Sequence, residues 1–328
     1  MVDVARHAGV SVKTVSRVVN REPNVAEPLM ERVLASVAEL GFRRNHLART
    51  LRSGRSTATI GLVIEEFANP FYATIAGVAA EVAAGHDTLL ITASSEEDAA
   101  REEELVRDLC SRRVDGLLIV PAGYDHEFLR DEMRLGLPVV FLDRPGGGLP
   151  ADTVLLDNRG GARAGVARLL AAGHRRIGVL LDSTGVYTMG ERVAGARDAV
   201  AAAGLPPATA VIHEGVRDPD SAASAAGALL DGADPPTAFF ALNNRIAVGV
   251  VAELCRRDDP AELLGFDDFE VSGLMPRPLT VIAYDTRALA RTAAELLFAR
   301  VGGAHPAPRT VTLPTALVSR GLPRPPPA

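Results

Sequence analysis

The stretch DVARHAGVSVKTVSRVVN, residues 3–20, decides the fold of the first part of the chain and carries most of its functional information. Small or apolar side chains recur there at helical spacing and predict two short helices joined by a tight turn. Gly9 lies where the turn needs a positive φ, and Ser11 is placed to cap the second helix. A short helix braced by another has the shape that the major groove of DNA accepts. The pattern therefore predicts a helix-turn-helix DNA reader.

The charge of the chain is unevenly distributed. Residues 1–55 hold ten Lys and Arg against five Asp and Glu, a net charge of +5. The whole chain carries −6, so the remainder carries −11. A small basic segment on a large acidic body is typical of a DNA-binding domain attached to another unit. A length of 328 residues agrees with two or three units.

Composition also narrows the class of protein. No run of about twenty apolar residues and no signal-peptide core occurs, so we expect a cytoplasmic protein without a membrane partner. Cys110 and Cys255 lack metal-type spacing, and we expect no metal and no cofactor. Adjacent carboxylates at 65–66 and 267–268 would point apart on a strand or turn. Without a catalytic triad or a phosphate loop, the chain is not predicted to be an enzyme.

A third helix and a basic segment follow the first two helices. Pro28 suits the first turn of a helix over residues 27–40, which Gly41 ends. Residues 43–52 are basic and too short for a stable helix alone, and a Ser/Gly/Arg/Thr linker follows them. From the residues alone, this segment is either a solvated linker or a helix that orders on DNA.

From residue 60 onward, short apolar runs alternate with Ala-rich stretches of helical periodicity. The runs are 60–64, 88–92, 117–120, 139–142, 177–181, 211–213, 238–242 and 279–283. Strands alternating with helices predict parallel sheets covered on both faces. About eight strands over this length fit two doubly wound lobes, with a ligand between them beyond the carboxyl ends of the strands.

The run from Asp3 through Arg17 to Leu51 resembles the opening of the lactose-repressor (LacI/GalR) family of bacterial transcription regulators. Further landmarks of that family occur at 69–72, 113–116, 173–177, 265–268 and 278–280. The resemblance implies a helix-turn-helix headpiece over 1–42 and a hinge helix with linker over 43–57. It also implies a two-lobed, periplasmic-binding-protein-like body over 58–322 for effector binding and dimerisation. The Pro-rich tail over 323–328 is expected to be disordered.

The resemblance also implies how DNA is contacted. Val12, Lys13 and Arg17 match the positions through which the family reads bases, and Arg17 has the donors for a bidentate contact to guanine. In the hinge, Leu51 matches a leucine wedge that opens the central base step from the minor groove. Thr14 and Ser16 have the alternative of being ordinary helix-surface hydroxyls. The other residues expected to contact DNA, mostly through phosphates, are Ser11, Thr14, Ser16, Asn20, Asn45 and Arg52.

An effector site in the cleft follows from the same resemblance. Phe71 and Tyr72 begin a helix where a ring can face the cleft, with core aromatics as the alternative. Arg192 matches a family arginine that grips hydroxyls or carboxylates, and its alternative is a surface helix arginine. Asn243 and Asp267 match further polar contacts of the family. Phe240 is expected to wall the pocket.

The function expected from these features is a repressor that binds a near-palindromic operator as a homodimer under allosteric control by a sugar. One alternative is a purine-repressor-like regulator with a nucleobase or another small metabolite as corepressor. A solute-binding protein is more distant, because the chain has a basic head and no export signal. Two departures from the family bear on the pocket. Asn244 stands where Asp is common, and the stretch 255–263 is shortened before Gly265.

Overall fold

The computed structural model describes residues 1–19, 25–41, 57–269, 272–304 and 306–322. The chain divides into two compact units, Met1–Thr57 and Ala58–Ala328. Several predicted features lie outside the described residues: Asn20, the hinge residues Asn45, Leu51 and Arg52, and the tail 323–328.

Three helices make up the described part of the first unit: α1 Val2–Ala8, α2 Val12–Val19 and α3 Glu27–Glu39. Gly9 ends α1 in the left-handed region with φ 62°, as the turn requires. The Thr14 N–H donates to Ser11 Oγ at 3.1 Å, so Ser11 caps α2 as predicted. The helix predicted over 27–40 ends at Glu39, and Leu40, which follows it, is 44% exposed.

The core of this unit is small and aliphatic. Val15 and Val33 are fully buried, and side chains from all three helices join them. The buried apolar residues are Val4, Ala5, Ala8, Val15, Val18 and Val33. Burial of Val15 and Val18 fixes which face of α2 turns inward and therefore which face turns outward.

The second unit alternates strands and helices, as predicted. Its strands are β1 Thr59–Ile64, β2 Leu89–Ser94, β3 Leu117–Ile119, β4 Val139–Leu142, β5 Asp152–Leu156, β6 Ile177–Leu180, β7 Ala210–His213, β8 Ala238–Ala241, β9 Glu262–Phe266, β10 Leu279–Ala283, β11 Thr310–Leu313 and β12 Ala316–Arg320. Its helices are α4 Pro70–Gly85, α5 Ala99–Ser111, α6 Arg130–Arg134, α7 Asn158–Ala171, α8 Tyr187–Ala202, α9 Pro219–Leu230, α10 Asn244–Arg257 and α11 Thr286–Val301.

Two six-stranded sheets define two lobes. Lobe one contains the parallel sheet β11-β5-β4-β3-β1-β2, and lobe two contains β12-β10-β9-β8-β6-β7, in which only β12 is antiparallel. In lobe one, α4 and α11 cover one face of the sheet and α5 covers the other. In lobe two, α7 and α8 cover one face, and α9 and α10 cover the other. The predicted fold of a headpiece and a two-lobed body is confirmed.

The chain crosses between the lobes three times, after β5, after β10 and between β11 and β12. Helix α11 therefore packs on lobe one although it follows a strand of lobe two. Strand β11 also belongs to lobe one, where it pairs with β5.

Four strands were not among the predicted apolar runs, namely β5, β9, β11 and β12. The edge strands β11 and β12 contain no buried residue, so they present no continuous apolar run. Strands β5 and β9 begin at the charged residues Asp152 and Glu262, which shorten the apolar signal although both strands lie inside a sheet.

Candidate functional site

The outer face of α2 brings together the three residues predicted to read bases. Val12, Lys13 and Arg17 are all exposed, while Val15 and Val18 beneath them are buried. Ser11 is exposed as well, and its hydroxyl lies 2.9 Å from Thr14 Oγ1 in addition to capping the helix. Thr14 and Ser16 are half-buried at the edge of the face. The exposed surface is therefore basic and uninterrupted by acidic side chains of α2 itself.

A cavity of about 300 Å³ in the second unit is lined by both lobes. Lobe one contributes Glu65, Glu66, Asn69, Phe71, Tyr72, Glu96, Glu97, Asp143 and Arg144. Lobe two contributes Asp182, Val186, Thr188, Met189, Arg192, Arg217, Asn243, Arg245 and Asp267, and Tyr284 lies at the crossing after β10. The cavity thus lies beyond the carboxyl ends of the strands, as expected for a doubly wound fold.

Strand ends place the carboxylates of this cavity. Asp143 follows β4 directly and Asp267 follows β9 directly. Both have left-handed backbones, with φ 67° at Asp143 and φ 76° at Asp267. Glu96 and Glu97, after β2, share this conformation. Side-chain-bearing residues adopt it rarely, and such strain concentrates where a fold holds functional groups.

Arg144 organises the lobe-one side of the cavity. Its buried guanidinium donates to Glu65 Oε2 at 2.6 Å, to the Pro121 carbonyl at 3.0 Å and to Glu97. The Tyr72 hydroxyl donates to the same Glu65 oxygen at 2.5 Å. Burial raises the pKa of Glu97 to about 7, although Arg144 opposes that rise. Burial likewise raises the pKa of Tyr72 well above its usual value, so this phenol stays protonated and acts as a donor.

Arg192 organises the lobe-two side. It is 4% exposed, so it is not a surface helix arginine. Its Nε donates to Asn158 Oδ1 at 2.8 Å and its Nη1 donates to the Leu242 carbonyl at 2.5 Å. Its guanidinium carbon lies 3.6 Å from the centroid of the Phe266 ring, and Nη2 lies 3.6 Å from Asp267 Oδ1. Asn158, the Leu242 carbonyl and the Phe266 ring thus hold the Arg192 guanidinium, which also lines the cavity.

Two contacts bridge the lobes beside the cavity. Asn244 Nδ2 donates to Asn69 Oδ1 at 3.2 Å, and Arg245 Nη1 donates to both Glu66 oxygens at 2.8 and 2.9 Å. Asn69 and Asn243 also cap the helices that begin there, α4 and α10. The turns that line the cavity are therefore the same turns that hold the lobes against each other.

Five of the six residues predicted for the effector site line this cavity: Phe71, Tyr72, Arg192, Asn243 and Asp267. Phe240 does not line it. It is fully buried in β8 on the face covered by α7 and α8, so it packs in the core instead of walling the pocket.

Sequence reasoning missed several residues of the cavity. Glu65 and Glu66 were considered only as a catalytic pair, and Asp143 and Arg144 were not considered at all. Each pair directly follows a predicted apolar strand, and that position was the available signal. Tyr284 is likewise the first residue after β10, and its hydroxyl donates to Asp267 Oδ1 at 2.7 Å.

Comparison with known proteins identifies the family. Residues 1–45 match the bacterial regulatory proteins of the lacI family, and residues 166–321 match the periplasmic binding protein-like domain. The transcriptional repressor PurR of Photobacterium profundum is 32% identical over 305 residues, which cover 91% of each chain. The chain belongs to the LacI family. The transcriptional regulator CelR of Thermobifida fusca is 33% identical over 331 residues, covering 97% of this chain and 96% of CelR.

Solved structures of the LacI family agree with the fold. The lac repressor dimer bound to operator and the anti-inducer ONPF has a TM-score of 0.84 and 26% identity, with 96% of each chain covered. As a member of this family the chain is a DNA-binding transcription regulator, and the interpretation that it is not an enzyme is confirmed by its relatives. Among the described residues, no helix is both long and apolar enough to cross a membrane.

Proposed function

We propose that this LacI-family regulator is a repressor that reads operator DNA through the exposed face of α2 and binds a sugar in the cavity between its lobes. The dense polar lining of the cavity carries the effector part of the proposal. Seven carboxylates and four guanidinium groups converge there, beside the rings of Phe71, Tyr72 and Tyr284. A sugar hydroxyl can donate a hydrogen bond to a carboxylate and accept one from a guanidinium. The C–H face of a sugar ring packs on an aromatic ring.

A nucleobase fits the same lining less well. A purine has few donors, so most of the cavity carboxylates would lose water without gaining a hydrogen bond. A sugar has a donor on nearly every carbon. The CelR structure, which contains cellobiose and is 29% identical to this chain, is a relative with a sugar in complex.

On the DNA side, we propose that Arg17 and Lys13 contact guanine and that Val12 contacts a thymine methyl group. The exposed positions of these three side chains support this assignment. A homodimer would place two such helices on the half-sites of a near-palindromic operator. The assignment of Asn20, Asn45, Leu51 and Arg52 to DNA contacts remains a prediction from the family resemblance.

Two experiments test this function. A random-site selection with the full chain at fixed salt should recover a two-fold symmetric site, and recovery of no enriched site or an asymmetric one would contradict the DNA part. Isothermal titration of the chain with neutral sugars and with hypoxanthine and guanine should show binding by a sugar. Binding by a purine alone would replace the sugar with the nucleobase alternative.

A further inference from the structure

The cavity carries an excess of negative charge. Its seven carboxyl groups face four guanidinium groups, an excess of three acidic groups, and Glu97, with a pKa of about 7, carries only part of its charge at neutral pH. At the rim, Arg217 Nε donates to Asp182 at 2.8 Å and Arg245 pairs with Glu66 across the lobes. These two pairs neutralise themselves, and Glu96 is exposed to water, so the buried acidic groups that remain are those around Arg144 and Arg192.

The terminal nitrogens of the inner arginines are occupied by other partners, and the buried Nε of Arg144 has no hydrogen-bond partner. Arg144 is shared between Glu65 and Glu97. Arg192 directs two nitrogens at neutral acceptors and reaches Asp267 only at 3.6 Å. Neither guanidinium therefore donates a hydrogen bond to Asp143, although the charges of both act on its carboxylate.

Asp143 is a buried cavity carboxylate without a hydrogen-bond donor. Its side chain is 5% exposed and lines the cavity, and within the described ranges its one ion pair is a 3.8 Å contact with Nε of its neighbour Arg144, too long for a hydrogen bond. Among the described residues, no hydrogen-bond donor reaches its carboxylate. A buried carboxylate without donors is costly, and its left-handed backbone adds strain. Burial raises the pKa of Asp143 to about 6, although the charges of Arg144 and Arg192 oppose that rise, and the charges of Asp267 and Glu65 add to it.

We propose that the effector of this regulator is an amino sugar, whose protonated amine pairs with Asp143 while its hydroxyls meet the other polar groups of the cavity. The inference rests on the proposed sugar-binding function and adds a charge to the ligand. An ammonium group supplies both the missing donors and the missing positive charge. A sugar phosphate or uronic acid would add negative charge beside carboxylates that already repel each other. No group of three His, Cys, Asp or Glu in the described chain is placed to hold a metal ion, which favours an organic cation.

Isothermal titration of the full chain with matched ligands tests the charge. The amino sugars are D-glucosamine, D-galactosamine and D-mannosamine, and each is compared with its neutral parent and with the 6-phosphate of that parent. We expect at least one amino sugar to bind ten times more tightly than its parent, and the phosphates to bind more weakly than either. A neutral sugar that binds as tightly as its amine, or a phosphate that binds best, would overturn the proposal while sugar binding stands. If no sugar in any form binds, the proposed function fails with it.

Two variants test whether Asp143 is responsible for the preference for the amino sugar over its neutral parent. Asp143→Asn keeps the size and removes the charge, so the ratio of the two affinities, amine against parent, should fall at least tenfold, towards one. Asp131→Asn is the control, because it removes a carboxylate on the surface of α6, outside the cavity, where Asp131 is paired with Arg134. It should leave the ratio unchanged. Because the ratio is taken within each variant, a general loss of stability does not imitate the result. An unchanged ratio in Asp143→Asn would refute the assignment.

Discussion

Replacing Arg192 by Met should destabilise lobe two and abolish effector binding together. The substitution removes hydrogen bonds from a charged group to Asn158 and to the Leu242 carbonyl, each contributing about 1.5–3 kcal/mol. It also removes the cation over the Phe266 ring, a contact of about 1–2 kcal/mol, although Met retains part of the packing there. These contributions are not additive, and Asp267 would lose its nearest cation. We expect the free energy of unfolding to fall by about 3–5 kcal/mol.

Urea denaturation followed by circular dichroism measures this change, and titration with the tightest sugar ligand measures binding. The control is Arg217→Met, which removes a guanidinium from the same cavity. Arg217 is highly exposed, and its side chain forms an ion pair with Asp182 at the rim, so its loss should leave the unfolding midpoint nearly unchanged. A loss of less than about 1 kcal/mol in Arg192→Met would refute the reasoning, because it would mean that the buried bonds of Arg192 do not stabilise the fold.

Further predictions concern the other parts of the molecule. Arg17→Ala should relax base preference at one position of each half-site by about 1–3 kcal/mol in a binding selection. The control Arg32→Ala removes an exposed charge from α3 and should leave the preference intact. Burial raises the pKa of Glu97 from 4.5 to about 7, so the folded protein retains a proton that the unfolded chain has released. The free energy of unfolding should therefore fall as the pH rises from about 5 to 7. In urea denaturation at pH 5 and 8, Glu97→Gln should reduce this fall, and an equal fall in both proteins would contradict it. Asn244→Asp would set a carboxylate oxygen against Asn69 Oδ1, where the contact is now a 3.2 Å hydrogen bond, and should weaken effector binding about tenfold at neutral pH in calorimetry. Unchanged affinity would show that this contact does not hold the lobes in their binding arrangement.

The fold could be predicted from sequence wherever the buried residues of an element form a continuous or periodic apolar pattern. The α2 pattern was sufficient because Val15 and Val18 must turn inward for Lys13 and Arg17 to turn outward. Strand β11 was missed because an edge strand buries too little to be distinguished from a loop. Its lobe also depends on pairing with β5, a contact between residues more than 150 positions apart that no local pattern records.

The site was less predictable than the fold because charge partners are assigned in space. Phe240 was placed in the pocket on its chemistry, but the alternation of side chains across β8 turned it into the core. Arg144 is separated by 79 positions from Glu65 and by 47 from Glu97, so no spacing rule connects them. The ends of the strands indicated where polar groups would gather. Only the packed lobes showed that the Asp143 carboxylate has no hydrogen-bond donor among the described residues.

The departure at Asn244 acquires a physical meaning in this arrangement. Its backbone N–H donates to Asp267 Oδ2 at 3.3 Å, and its side-chain amide donates across the lobes to Asn69 Oδ1, which also caps α4. One residue thus connects a carboxylate of the cavity to the first turn of a helix in the other lobe. A ligand that engages Asp267 acts on a group that orients Asn244, and the lobe contact depends on that orientation. Linkage requires the effect to be reciprocal, so any free energy by which the Asn244–Asn69 contact favours the effector is the free energy by which the effector favours that contact. The affinity change in Asn244→Asp therefore reports this coupling together with the effect of the charge that the new carboxylate adds beside Asp267.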